Sequence, residues 1–180
     1  MSASSSVYFA QTPSPLGRIV LAVSDAALCG LYFDDQADCP VAIYERTVNE
    51  HACPWLDPSC PLSAQDIFTR AMTQLAEWFS GTRTGFDIPL RLQGTPFQCR
   101  VWQVLQTIPF GHTLTYGEVS VRVSGNSRGS RAVGAAAGRN PVSIIVPCHR
   151  VVGAHGQLTG FSGGIHRKSA LLAHEGRSLV

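Results

Sequence analysis

The sequence predicts an α+β protein in two parts: a small sheet with one helix, then a helical half built around a helix-turn-helix. Three observations predict it. Short apolar runs separated by turn residues crowd the first 33 positions, and one strongly amphipathic helix follows a polar stretch rich in Pro and Cys. From residue 95 onward, helix-starting Thr residues and helix-ending Gly residues mark out successive helices.

The elements can be justified in order. Val7–Gln11, Arg18–Val23 and Leu28–Phe33 read as strands, divided by Thr12-Pro-Ser-Pro-Leu-Gly17 and by Ser24-Asp25. Residues 34–62 read as loop, with room for one short helix near Val41–Val48. Ser63 is the expected cap of a helix whose apolar face is Ile67, Phe68, Met72, Leu75, Trp78 and Phe79, and Gly81 is its expected stop. Phe86–Leu92 is expected to return to the sheet as a strand. Thr95-Pro96-Phe97-Gln98 is a capping box with Pro at the first helical position, and Phe97, Val101, Trp102, Leu105 and Ile108 recur at helical spacing up to Pro109-Phe110-Gly111. Thr115-Tyr116-Gly117-Glu118 is a second capping box for a helix to about Val123. Ser124-Gly125-Asn126 is a turn, and a third helix runs from about Arg128 to Gly138. The expected division is residues 1–92 as an N-terminal structural domain and 93–180 as the C-terminal functional one.

Composition narrows the function classes. Of 180 residues, 44% are hydrophobic and 14% charged, which excludes a disordered chain. No run approaches the roughly 20 apolar residues of a membrane helix. The start, MSASSSVYFAQ, lacks a basic stretch followed by an apolar segment, so no secretory signal is expected. The formal charge of +2 hides an asymmetry: four Arg stand against ten acidic residues in 1–90, whereas nine Arg and one Lys stand against two Glu in 91–180. A basic half joined to an acidic half points to a polyanionic partner for the second half, with scattered surface charge as the plainer alternative.

Six cysteines without an export signal read as reduced thiols. Cys39, His51, Cys53 and Cys60 share one Pro-rich stretch, but their spacing matches no compact zinc pattern, and no metal or other cofactor is expected.

The third helix, Arg131-Ala-Val-Gly-Ala-Ala-Ala-Gly-Arg139, lacks the Asn, Gln and clustered Arg that read base edges. Tight packing in a core would explain its Ala and Gly. A helix lying close to DNA and indifferent to sequence would also explain Arg131 and Arg139.

Val142-Ser-Ile-Ile-Val146 reads as a buried strand or extended segment delivering Pro147-Cys148-His149-Arg150-Val151. A thiol beside His and Arg sits where its thiolate is favoured, and thiolates suit attack on carbon with a neighbouring His as base. A small buried hydrophobe is the other reading of such a Cys. Adjacent side chains on an extended chain point apart, so a bridging water would have to connect Cys148 with His149.

The pentapeptide Pro147–Val151 follows Arg131-Ala132-Val133-Gly134 and Asn140-Pro141. With Gly94–Gln98, Ile108-Pro109-x-Gly111, Tyr116-Gly117-Glu118, Gly160-Phe161-Ser162-Gly163-Gly164 and Arg167-Lys168-x-x-Leu171-Leu172-x-His174-Glu175-Gly176, it resembles the O6-alkylguanine-DNA alkyltransferase (methylated-DNA–protein-cysteine S-methyltransferase) family. The resemblance runs strongly from Gly94 to Gly176, more faintly through Ser14-Pro15-Leu16-Gly17, and implies a winged-helix-like form of the helix-turn-helix. It implies irreversible transfer of the O6-alkyl group of a flipped guanine in duplex DNA to Cys148, a DNA-repair reaction without turnover. His149 would take the thiol proton through water, Glu175 would orient His149, Asn140 would hold the turn around Cys148, and Tyr116 would help rotate the nucleotide and donate a proton to the leaving base. Arg131 would fill the gap in the duplex, with Ala132, Ala135, Gly138 and Tyr116 facing DNA in the minor groove. Val151, Phe161 and Ser162 would shape the guanine pocket. Phe161 stands where many members carry Tyr, and Ser143 where some carry an apolar residue or Pro.

The implied partner is double-stranded DNA bearing O6-alkylguanine, bound by a monomer with room for protein–protein contacts along the DNA and no membrane association. The implied location is intracellular, the bacterial cytoplasm or, in a eukaryote, the nucleus. The alternatives are a non-transferring alkylguanine binder that flags lesions and a helix-turn-helix regulator without chemistry. An intact Cys148, His149 and Glu175 speaks against the first, and the Ala/Gly helix against the second. A cysteine hydrolase would need an oxyanion site that nothing in the sequence demands.

Overall fold

The computed structural model describes residues 6–36, 39 and 60–176. Contacts divide the chain into two compact units, Met1–Asp35 with Cys39–Leu92, and Gln36–Asp38 with Gln93–Val180.

In the first unit, β1 (Tyr8–Thr12), β2 (Ile19–Ser24) and β3 (Ala27–Phe33) form an antiparallel sheet in the order β1-β2-β3. Tyr8 pairs with Val23 and Thr12 with Ile19, and Ile19 in turn pairs with Phe33. Every residue of the central strand is buried, so both of its faces are covered. Asp25 and Ala26, both at positive φ, make the two-residue turn between β2 and β3, the geometry that matches strand twist in a tight hairpin. The long helix α1 (Leu62–Phe79) packs on the sheet and buries Ile67, Phe68, Leu75 and Trp78.

Two expectations fail here. Ser63 does not cap α1: Pro61 occupies that position, and its carbonyl accepts the Ala64 and Gln65 N–H groups. Phe86–Leu92 does not form a strand. It makes one isolated parallel bridge, Leu28 to Leu90, with bonds from Leu28 N–H to the Pro89 carbonyl and from Arg91 N–H to the Leu28 carbonyl. Pro89 has no N–H to extend the ladder. Of the expected loop 34–62, residues 37, 38 and 40–59 lie outside the described residues, and with them the short helix near Val41–Val48, His51 and Cys53. Cys39 and Cys60 are buried and not disulfide-bonded.

The second unit begins with α2 (Pro96–Gln106). The expected capping box forms: Thr95 Oγ1 accepts the Gln98 N–H at 3.3 Å, and Gln98 Oε1 accepts the Thr95 N–H at 2.8 Å. Gly94 is required by crowding, since a Cβ there would lie 2.5 Å from the Trp102 ring. After the two-residue strand β4 (Leu114–Thr115), the second capping box starts α3 (Tyr116–Ser124), which Gly125 ends at φ +77°. A 3-10 turn (Ser127–Gly129) leads into α4 (Ser130–Gly138), completing a helix-turn-helix. Trp102 donates its indole N–H to the Ala136 carbonyl at 2.9 Å, tying α2 to α4. β5 (Val151–Val152) pairs in parallel with β4, and α5 (Ile165–His174) closes the unit. The molecule is α+β, with its three-stranded sheet in the first unit and its helices mainly in the second. No described helix is long and apolar enough to cross a membrane.

Candidate active site

Residues 142–146 are buried except for the half-buried Ile145, but are not a strand. The segment turns on itself, with Ile144 at φ +69°, a region that β-branched residues rarely enter. The ladder's place is taken by local bonds, Val146 N–H to the Val142 carbonyl at 3.0 Å and Ile145 N–H to the Ser143 carbonyl at 2.8 Å, and by one side chain. Asn140, 2% exposed, accepts the Val142 N–H at 3.1 Å and donates to the Val146 carbonyl at 2.7 Å. Its amide also donates to Cys148 Sγ at 3.1 Å. Hydrophobicity marked this segment as buried, and the Asn140 bonds together with its own local backbone bonds satisfy its turned backbone there. Cys148 follows on a 3-10 turn with His149 and Arg150, so these residues are not extended as expected.

All three are buried. His149 Nε2 donates to Glu175 Oε1 at 3.0 Å, and both side chains are fully buried. Arg150 meets the same carboxylate through Nε (2.9 Å to Oε2) and one Nη (2.8 Å to Oε1), and its other Nη donates to the Ile108 carbonyl at 2.6 Å. The Gly111 N–H completes the shell on Glu175 Oε2 at 3.0 Å. Gly111 sits at φ +73°, and a Cβ there would lie 3.2 Å from the Glu175 carbonyl.

Charge in this cluster is fixed by burial and pairing. Burial by itself would raise the Glu175 pKa, but the hydrogen bonds and charges of His149 and Arg150 outweigh it and hold the carboxyl at about 2. Burial pushes His149 below its ordinary value despite the Glu175 carboxylate, so the imidazole is neutral near pH 7 and ready to accept a proton. With its Nε2–H donated to Glu175, the neutral ring carries its lone pair on Nδ1.

Cys148 lies at the wall of a cavity of about 470 Å³. Helix α4 contributes Arg131, Gly134 and Gly138, α3 contributes Tyr116, and the segment before α5 contributes Thr159, Phe161 and Ser162. The Tyr116 hydroxyl donates to the Thr159 carbonyl at 3.2 Å. Lys168 reaches the same carbonyl at 2.7 Å and the Tyr116 hydroxyl at 3.4 Å. Burial lowers the Lys168 pKa to about 8, against the opposing pull of a Cys148 thiolate, and burial raises that of Tyr116. The Ser162 hydroxyl is buried and makes no hydrogen bond among the described residues.

Cys148, His149, Glu175 and Asn140 are thus brought together as one hydrogen-bonded cluster. Tyr116, Arg131, Gly138, Phe161 and Ser162 line the cavity, while Ala132 and Ala135 lie on the exposed face of α4. Val151 is fully buried in β5 and does not line the cavity. Sequence reasoning missed Arg150 as a partner of Glu175, having placed its charge beside the thiol, and missed Gly111, Thr159 and Lys168. An Arg inside an otherwise apolar segment was a signal, because a buried guanidinium demands a carboxylate. Among the described residues no group of His, Cys, Asp and Glu could hold a metal ion.

A neutral imidazole held by a buried carboxylate, next to a thiol at the edge of a cavity walled by a helix-turn-helix, defines a protein whose cysteine attacks a group brought to it by a nucleic-acid-binding fold. Comparison with known proteins narrows this class. Residues 7–92 match the ribonuclease-like domain of 6-O-methylguanine DNA methyltransferase, and residues 96–177 match its DNA binding domain. The chain belongs to the 6-O-methylguanine DNA methyltransferase family. It is 44% identical to a methylated-DNA–protein-cysteine methyltransferase of Mycolicibacterium paratuberculosis, over 91% of this chain and 89% of that one. A protein of the same name from Methanosarcina acetivorans is 39% identical over 94% and 99% of the two chains. The crystal structure of Mycobacterium tuberculosis O6-methylguanine methyltransferase superposes with a TM-score of 0.76 at 43% identity, covering 94% of this chain and 93% of that one. The structure of Mycobacterium tuberculosis OGT in complex with DNA gives the same score and identity over 93% and 91%.

Proposed function

We propose that this chain repairs O6-alkylguanine in duplex DNA by moving the alkyl group onto Cys148, once per protein molecule. The observation that carries the reading is the buried Cys148 at the cavity wall, joined to Asn140 and followed by the His149–Glu175 pair. His149 takes the thiol proton through a water, and Glu175 stabilises the imidazolium that forms. The thiolate attacks the alkyl carbon in line, the carbon–O6 bond breaks, and its electron pair stays with guanine. Tyr116 protonates the leaving base and regains a proton from solvent, while the imidazolium of His149 releases one to solvent. Summed over the reaction, guanine gains the proton that the thiol lost. Asn140 orients the sulfur, and Ser162 and Phe161 bound the space for the base.

Residues 93–180 carry the DNA-binding and acceptor roles and residues 1–92 a structural one. The small residues of α4, including Ala132, Ala135 and Gly138, allow close approach to the minor groove without reading sequence, and Arg131 stacks in the gap left by the extruded nucleotide. The chain acts as a monomer, with neighbouring copies able to touch along DNA. Bacterial and archaeal relatives support a cytoplasmic site of action.

A thioether is not cleaved by a neutral imidazole and a carboxylate, so repair stops when the protein is used up. Titrating a fixed amount of protein with excess duplex carrying one O6-methylguanine should give repaired guanine equal to the protein and then no more. Continued turnover would refute the single-use reading.

A further inference from the structure

The turn between α3 and α4 carries local side-chain bonds from Asn126 and Ser130, and one buried side chain of α3 reaches across it. Ser120 is 1% exposed, and its hydroxyl donates to the Asn126 carbonyl at 2.6 Å and accepts the Gly129 N–H at 3.1 Å. These two backbone groups flank the 3-10 turn, so a single oxygen clamps both of its ends. Gly129 sits at φ −81°, a conformation open to any residue, yet a Cβ there would lie 2.8 Å from Ser120 Oγ. The same Cβ would lie 3.9 Å from Ser120 Cβ, an ordinary contact. At the other end of the helix pair, a Cβ at Gly134 would stand 3.6 Å from the Tyr116 ring. Arg131 leaves the chain two residues after Gly129 and lines the same cavity as Tyr116. The separation of these two side chains therefore depends on a turn pinned by Ser120.

We propose that Ser120 is a positioning residue whose hydroxyl sets where Arg131 stands relative to Tyr116, and through them how readily the cavity takes a nucleotide out of the duplex. This rests on the repair reading above. None of the Ser120 bonds reaches Cys148, His149 or Glu175, so transfer from a base that needs no extrusion is independent of it.

The test compares wild type, Ser120→Ala, Gly129→Ala and the double variant on two substrates. One is a duplex with a single O6-methylguanine. The other is the free base O6-benzylguanine, whose benzylic carbon is activated for displacement. Ser120→Ala should lose about tenfold in second-order rate constant on the duplex and less than about twofold on the free base. Gly129→Ala, whose methyl group strikes the hydroxyl, should lose more on the duplex. The double variant should return to at least the Ser120→Ala rate, because the clash is gone. Equal losses on both substrates, no loss on the duplex, or additive losses in the double variant would overturn the proposal. A wild type inert on both substrates would instead overturn the repair reading itself.

Discussion

Replacing Glu175 by glutamine should slow alkyl transfer by about 10² to 10⁴-fold and cost about 3–5 kcal/mol of stability. The carboxylate accepts from His149, from Arg150 and from the Gly111 N–H, and its side chain is fully buried. A glutamine turns an NH2 group toward at least one of these donors and leaves the Arg150 guanidinium buried without a counter-charge. The kinetic loss follows because an imidazolium on His149 then has no anion to stabilise it. The same substitution changes the acid limb of stability. Glu175 titrates at about 2 when folded and near the ordinary 4.3 when unfolded. Its contribution is therefore fully present above about pH 4.3 and is lost as the pH falls toward 2, an effect of about 3 kcal/mol. Chemical denaturation between pH 2 and pH 7 should show this loss in the wild type and not in Glu175→Gln. Stopped-flow transfer at wild-type rate in the glutamine variant would remove Glu175 from the mechanism.

The second large effect belongs to Asn140. Alanine there leaves the buried Val142 N–H without its acceptor, at about 1–3 kcal/mol, and leaves the Val146 carbonyl with the Cys148 N–H alone. It also frees a segment in which Ile144 is held at φ +69°. The sulfur of Cys148 loses the amide that holds it, so transfer should fall by at least about tenfold beyond what unfolding explains. Asn140→Asp separates the two contributions. It restores the acceptor for Val142 but presents oxygens to the Val146 carbonyl and to a developing thiolate, so its rate should be no better than that of Asn140→Ala. Calorimetric melting beside single-turnover rates measures both. An aspartate variant with near-wild-type transfer would contradict the role given to the amide.

The two capping boxes at Thr95 and Thr115 show why the helices were legible: each is a local pattern whose partners lie three residues apart. The strands of the first sheet were legible for the same reason, through short apolar runs and intervening turns. Ser63 misled because the capping preference of a serine is a local bias, whereas the chain entered α1 two residues earlier through Pro61. Residues 142–146 misled in a deeper way. Their apolar run reported burial correctly, but an Asn two residues upstream replaced the strand partners, and periodicity carries no information about such a substitution. In the site, Cys148 and His149 stood out from their chemistry. Glu175 was reached only through resemblance, because a carboxylate after a helix reads as solvated until the fold shows it buried beside Arg150. Lys168 stood inside a family motif without a role and Thr159 had no signal, since their links to Tyr116 span 52 and 43 positions in sequence.

The most direct test of the central claim is the mass of the intact protein, followed by peptide mapping, after incubation with a duplex containing one O6-methylguanine. The account predicts one methyl group in place of one hydrogen, located on Cys148, saturating at one per molecule and absent from Cys148→Ser. Tight binding of the duplex with no mass change, or methyl groups on other residues, would contradict it.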